Sequence, residues 1–298
     1  MTSTARLIPP PRPGLSRRFA AWLHRHPRGR LGLILVLPLT WLVIAYLGSL
    51  LVLFLNAFWS NDPFTSLVVR EFTLDNFAEL LTTEVYRTVT FRTVSMAAVV
   101  TVTCIGLAYP IAYYMAKVAS PRVRGVLAVA VLMPLWASYL VKAYSWRLIL
   151  SEEGVLNWAL EPFGLKGPGF GDAAVWLVFT YLWLPYMILP IYAGLERIPD
   201  SLLEASSDLG GRSWMTFRRV ILPLSIPAVA AGSIFTFSLT LGDYIVPGLV
   251  STSQFIGNVI FVNVAQDLPL AAAYSLIPLT IVLIYLFVVR RLGAFEAL

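Results

Sequence analysis

Two places in this 298-residue sequence hold side chains whose types and spacing could do chemistry. The first is Asp243, the only carboxylate between Asp208 and Asp267, followed directly by Tyr244. A carboxylate in apolar surroundings can hold a cation by charge, and aromatic faces can add cation–π contact and methylene packing. Candidate aromatics for such a path are Trp136, Tyr139 and Tyr144, which share a stretch with Lys142, Trp146 and Arg147, and then Trp183 and Tyr186. The same residues fit an interfacial belt with snorkelling cations, and Asp243 fits a helix-end acid bonded to backbone or to an arginine. Lys142 and Arg147 would repel a cation unless paired, with Glu152 and Glu153 the acids at hand.

The second place is the segment 196–219, where acids and arginines alternate in near balance. Pro199, Asp200 and Ser201 open a helix, and Gly210-Gly211 closes it in the left-handed geometry that glycine tolerates. Leu202, Ala205, Ser206 and Leu209 share one face, and the small Ala205, Ser206 and Ser207 permit close approach by another protein. Ser213 is placed to cap a second helix carrying Trp214, Phe217 and Ile221 on one stripe, before Arg218, Arg219 and Pro223. An amphipathic segment between two spans would show similar punctuation.

Other chemistries lack raw material. There is no G-x-x-x-x-G-K-[ST] loop, and Gly167-Pro168-Gly169-Phe170-Gly171 lacks the preceding strand, the spacing and the lysine, so it reads as an external turn. The two histidines, His24 and His26, sit in a polar tail, and the single Cys104 lies in an apolar run where it reads as a packing residue. No catalytic set and no metal site is expected, which argues against an intramembrane enzyme.

The elements that carry these residues follow from composition: 58% of the chain is hydrophobic and 13% is charged, against about a quarter charged in a soluble domain. Apolar stretches at 31–55, 93–116, 125–141, 173–195, 220–242 and 268–289 are mostly near the ~20 residues of a bilayer span. An all-α membrane protein with about six transmembrane helices is expected. The region after Asp243, punctuated by Pro247, Gly248, Ser251, Thr252, Ser253, Gln254 and Asn258, reads as extramembrane or re-entrant. Prolines 38, 110, 134, 185, 190, 227 and 278 imply kinks in the spans. No 20–50-residue repeat occurs, so residues 31–298 read as one membrane domain.

Charge sets the orientation. Seven arginines precede the first span, which places the Pro-rich tail, 1–30, inside and disordered. The 56–89 loop carries five acids against two arginines and faces outward, Lys117 to Arg124 is basic and inside, and Arg290 and Arg291 end the chain inside. Both termini are therefore cytoplasmic. The outer acids suit a solvated surface, cation attraction or contact with a solute-binding protein. The first, second, fourth and sixth apolar runs hold no charge, which disfavours an ion-coupled secondary transporter.

Glu204-Ala205-Ser206, Gly210 six residues after the glutamate, and Val220-Ile221-Leu222-Pro223 after nine more resemble the E-A-A…G…I-x-L-P loop of ABC importer permeases. Ser206 stands for the second alanine and Val220 for the isoleucine, both close in volume. Across most of the chain the sequence is most similar to the spermidine/putrescine permease branch, through Phe72-Thr73-Leu74-Asp75-Asn76-Phe77, Tyr109-Pro110, Pro134-Leu135-Trp136 and Leu241-Gly242-Asp243-Tyr244.

The resemblance implies a type I ABC importer permease architecture in a bacterial inner membrane and a polyamine as solute. It implies that Leu202, Glu204, Ala205, Ser206, Leu209, Gly210 and Pro223 form the coupling loop that engages an ATPase. The implied partners are a homologous second permease, two copies of a cytoplasmic ATPase and a periplasmic or lipid-tethered solute-binding protein. This chain would bind no cofactor, with ATP and Mg2+ used by the ATPase. Related branches for other small solutes share several of these signatures.

Overall fold

Backbone amides in hydrocarbon must be satisfied within the chain, and apolar runs of this length therefore fold as helices. The computed structural model describes residues 27–62, 65 and 67–291. Most of the expected tail, with His24 and His26, lies outside the described residues, and 27–30 open the first helix instead.

The chain divides into two units, Met1–Leu55 and Asn56–Leu298, where one domain from residue 31 was expected. The first unit is an apolar rod: α1 (Pro27–Trp41), a π turn (Leu42–Leu47) and α2 (Gly48–Asn56), whose last residue belongs to the second unit. Most of its described side chains are exposed, Leu37 at 79% and Trp41 at 76%, as suits a helix that meets lipid or another apolar surface.

The second unit begins with a two-stranded antiparallel ribbon, β1 (Ser60–Asn61) and β2 (Val68–Val69), and α3 (Asp75–Thr82). Asn76 fastens α3 by donating to the carbonyls of Ala57 (3.1 Å) and Trp59 (2.8 Å). The long α4 (Glu84–Tyr113) ends in a π turn (Tyr114–Val118). After α5 (Pro121–Trp136), α6 (Tyr139–Leu150) and the short α7 (Val155–Leu160) comes α8 (Asp172–Glu196). Then follow α9 (Asp200–Asp208), α10 (Ser213–Thr216), a π turn (Phe217–Ile221), α11 (Leu222–Gly242), α12 (Ile245–Val250), α13 (Ile256–Gln266) and α14 (Leu268–Arg290).

Among the described residues, five helices are long and apolar enough to cross a membrane, or six if α5 and α6 form one span. The expected continuous span at 125–141 is thus corrected to two helices that meet at 92°. The corner is Ala137-Ser138, both with extended backbone, three residues beyond Pro134. The remaining prolines stay inside helices, and two of the π turns begin four residues after Pro38 and Pro110, a local adjustment that re-satisfies freed backbone groups. The region after Asp243 forms α12 and α13, and the 11 residues of α13 are too few to span.

Helix α8 is the centre of the second unit, packed between α4 and α11. Val178, Phe179, Leu182, Met187 and Ile191 of α8 and Val100, Cys104 and Ala108 of α4 are fully or almost fully buried. Small residues bring α8 and α11 together: a Cβ on Gly194 would lie 2.3 Å from the Cβ of Ala228, and one on Gly232 would lie 2.9 Å from the Met187 sulfur. Cys104 packs between α4 and α8, its thiol 3.7 Å from the Thr180 carbonyl, in the packing role read from sequence.

Candidate functional site

The segment between α8 and α11 folds as two helices about a glycine elbow. At the elbow Gly210 has φ +77°, and the amides of Gly210 and Gly211 donate to the carbonyls of Ser207 and Ser206, each at 2.9 Å. These bonds satisfy carbonyls that the end of α9 leaves open. Gly211, expected with Gly210 to close the helix, is required by space rather than by a left-handed backbone: a Cβ there would lie 2.6 Å from the Ser206 carbonyl oxygen.

The faces of α9 differ from the expected set in one residue. Leu202, Glu204, Ala205 and Leu209 point outward, Leu209 at 89% exposure. Ser206 instead turns in, its hydroxyl 2.8 Å from that of Thr216, and Leu203 packs on the core. The outward stripe is therefore Leu202, Ala205 and Leu209, at i, i+3 and i+7. Ser213 is the first residue of α10 rather than its cap, and the residue before it, Arg212, makes no side-chain cap. Trp214 stacks on Phe217 at 5.4 Å, Phe217 meets Tyr109 and Tyr113 edge-on at 5.7 and 5.9 Å, and Ile221 is buried, so the aromatic stripe exists and docks on α4. Pro223 lies exposed in the first turn of α11.

Two cations outside this segment hold it. The Lys117 ammonium donates to the Ile198 carbonyl (2.7 Å) and to Asp200 Oδ1 (2.9 Å), and Arg124 reaches the Ala116 carbonyl and Glu196 Oε1, both at 3.4 Å. From sequence these were only positive-inside charges, a signal that carries no partner.

The second site gathers around Asp243, between α11 and α12. Its Oδ1 accepts from the amides of Ile245 (2.8 Å) and Val246 (3.0 Å), capping α12, and its Oδ2 accepts from the Tyr139 hydroxyl. The helix-end reading is thus correct, with a tyrosine in place of an arginine. The carboxylate also lines a cleft of about 290 Å³ with Trp183, Ser238, Leu239, Gly242, Tyr244 and Ile245. The Tyr139 ring lies parallel to Trp183 at 6.1 Å, and Tyr186 meets Trp183 edge-on at 6.0 Å. Tyr244 stacks on Phe261 at 4.7 Å.

Of the seven residues proposed for a solute path, Asp243, Tyr244 and Trp183 line the cleft, Tyr139 and Tyr186 reach it through Asp243 and Trp183, and Trp136 (88% exposed) and Tyr144 (55% exposed) line no part of it. Arg147 sits over the Phe170 ring at 5.9 Å, and among the described residues neither it nor Lys142 pairs with Glu152 or Glu153. No sequence signal marks the Tyr139 contact, because it depends on the turn at Ala137-Ser138 that Tyr139 follows.

Comparison with known proteins bears on family and fold. Residues 108–295 match the family described as binding-protein-dependent transport system inner membrane component. The chain is 46% identical to the inner membrane ABC transporter permease protein YdcU of Escherichia coli (strain K12), with 97% of each chain covered. It is 34% identical to the spermidine/putrescine transport system permease protein PotB of the same organism, over 82% of this chain and 90% of the relative. Among solved structures, a chain of a bacterial ABC transporter involved in import of the acidic polysaccharide alginate superposes with TM-score 0.72 at 20% identity, covering 92% of this chain and 99% of that one. A second alginate transporter, in complex with a pentasaccharide-bound periplasmic protein, gives TM-score 0.72 at 18% identity, over 91% and 98%.

Proposed function

This chain belongs to the binding-protein-dependent transport system inner membrane component family, and from that premise we propose that it carries a polyamine such as spermidine or putrescine inward, driven by a separate ATPase. It is the permease of an ABC importer, a transport subunit with the type I fold. The observation that carries the energy source is the α9 elbow: an outward stripe of Leu202, Ala205 and Leu209 beside Glu204, held rigid by Gly210, Gly211 and Ser206. Such an exposed stripe suits a groove on an ATPase.

In this reading α9 and both termini face the cytoplasm, as the arginine bias indicates. Two ATPase copies hydrolyse ATP with Mg2+, a homologous permease completes the path, and a periplasmic or lipid-tethered protein delivers the solute. Ser206 shapes the coupling segment from behind rather than touching the ATPase. This chain itself binds no cofactor.

The solute assignment is supported by the PotB relatives and by the Asp243 cleft, where one carboxylate stands with Trp183 and Tyr244 in the lining, Tyr139 bonded to it and Tyr186 behind Trp183. That combination suits an ammonium flanked by methylenes. One carboxylate neutralises one ammonium, so the remaining charges of a polyamine fall to the partner permease. Trp136 and Tyr144 then serve as interfacial anchors rather than lining. A second reading, the same machinery for another small solute, draws on Lys142 and Arg147, which stand on α6 without a carboxylate partner among the described residues.

The discriminating experiment is calorimetric titration of the cognate binding protein with spermidine, putrescine and small anions. Micromolar or tighter capture of a polyamine supports the first reading. Capture of an anion alone moves the assignment to the second.

A further inference from the structure

We propose that Lys117 is a positioning residue for coupling: it ties the N-terminus of α9 to the end of α4, so that displacement of α9 moves α4 as a rod. This rests on the reading of α9 as the helix that engages the ATPase.

Lys117 lies in the π turn that ends α4, and its side chain is 8% exposed. An ammonium here is disfavoured twice, because its stem is buried and because the N-terminus of α9 is the positive end of that helix. Asp200, 80% exposed, offsets both, and the Ile198 carbonyl takes a second N–H. A buried stem delivering a cation to two directional acceptors fixes one geometry, which a mere solubilising charge would not need. Arg124 braces the same corner by joining the π turn that follows α4 to Glu196 at the end of α8.

The other end of α9 reaches α4 by a separate route. Ser206 bonds Thr216, and the next residue, Phe217, packs edge-on against Tyr109 and Tyr113. Helix α4 therefore grips α9 at both ends, although α8 and α11 are the helices that flank it in sequence. Tyr109 also bonds Ser225 at 2.8 Å, linking α4 to α11.

At its far end α4 holds the segment beside Asp243. Thr93 Oγ1 accepts from the Ile256 amide at 3.0 Å, and Arg92 donates to the Gln254 carbonyl at 3.2 Å. Gly257 then lies so close to Asp243 that a Cβ would sit 2.9 Å from its carbonyl oxygen. From Lys117 to Thr93 the helix spans about 36 Å at 1.5 Å per residue. One rod thus joins the α9 elbow to the backbone that packs on Asp243.

The test uses the assembled transporter in proteoliposomes with Lys117→Met, which keeps an apolar stem and removes the charge, and with Asp200→Ala at an exposed position. Co-purification of the ATPase, basal hydrolysis and spermidine delivered per ATP are measured together. Both variants should retain the ATPase and basal hydrolysis while delivery per ATP falls about tenfold, and the double variant should be no worse than the poorer single one. Wild-type delivery per ATP in Lys117→Met overturns the proposal, as does lower yield with unchanged delivery in the surviving complexes. If Lys117→Met does not assemble, wild-type delivery in Asp200→Ala overturns it. A wild-type chain that retains no ATPase at all would instead overturn the reading of α9 on which this rests.

Discussion

Asp243 serves structure and the proposed path with different oxygens. Oδ1 caps α12, and Oδ2, held by Tyr139, is the one a cation would claim. Asp243→Asn keeps an oxygen for the Ile245 and Val246 amides and removes the charge. Charge-assisted bonds contribute about 1.5–3 kcal/mol, so spermidine uptake should fall by about ten- to a hundredfold, with the unfolding midpoint lowered by less than about 3 °C. Unchanged uptake would remove Asp243 from the path. At the elbow, Gly210→Val forces a branched residue to φ +77°, a strain of about 1–2 kcal/mol or more. ATP-driven uptake should drop several-fold while membrane insertion, followed by blotting, is unchanged. Gly210 and Asp243 were legible because each is a local exception, a glycine at a helix end and an acid in an apolar run. The bonds of Lys117 and the steric need for Gly211 were not, because they depend on atoms supplied by Ile198, Asp200 and Ser206 in the folded chain.

At the scale of elements, α9 is a helix whose phase only its neighbours decide. Its sequence allows Leu202 or Leu203 to face inward, and packing on the core selects Leu203, leaving Leu202, Ala205 and Leu209 outside. Leu209→Asp places a charge on the most exposed residue of the proposed docking surface, where losing a hot spot costs about 2 kcal/mol or more. ATPase recovered by affinity purification should fall at least about tenfold, and full recovery would move the docking surface elsewhere. The contact between α8 and α11 sets a second test. Gly232→Leu overpacks against Met187 and should destabilise the second unit by about 1–3 kcal/mol, read as a lower unfolding midpoint in detergent. The spans themselves were legible from hydropathy, because the bilayer demands length and apolarity of each alone. The corner at Ala137-Ser138 was not, since neither residue is a breaker and the bend depends on what α6 packs against, including the Tyr139 contact with Asp243.

For the whole molecule, the absent phosphate loop, the outward stripe of α9 and the Asp243 cleft fit one division of labour, in which ATP is spent by one subunit and the solute passes through another. On the proposal made for Lys117, the two sites are joined through α4, which bonds the α9 corner at Lys117 and the segment beside Asp243 at Thr93. The most direct measurement is uptake of labelled spermidine into proteoliposomes that hold this permease, its partner permease and the ATPase, with loaded binding protein outside and ATP and Mg2+ inside. The account predicts uptake that requires ATP and the ATPase and that Leu209→Asp abolishes. Uptake that persists without the ATPase, driven by an ion gradient alone, would contradict it.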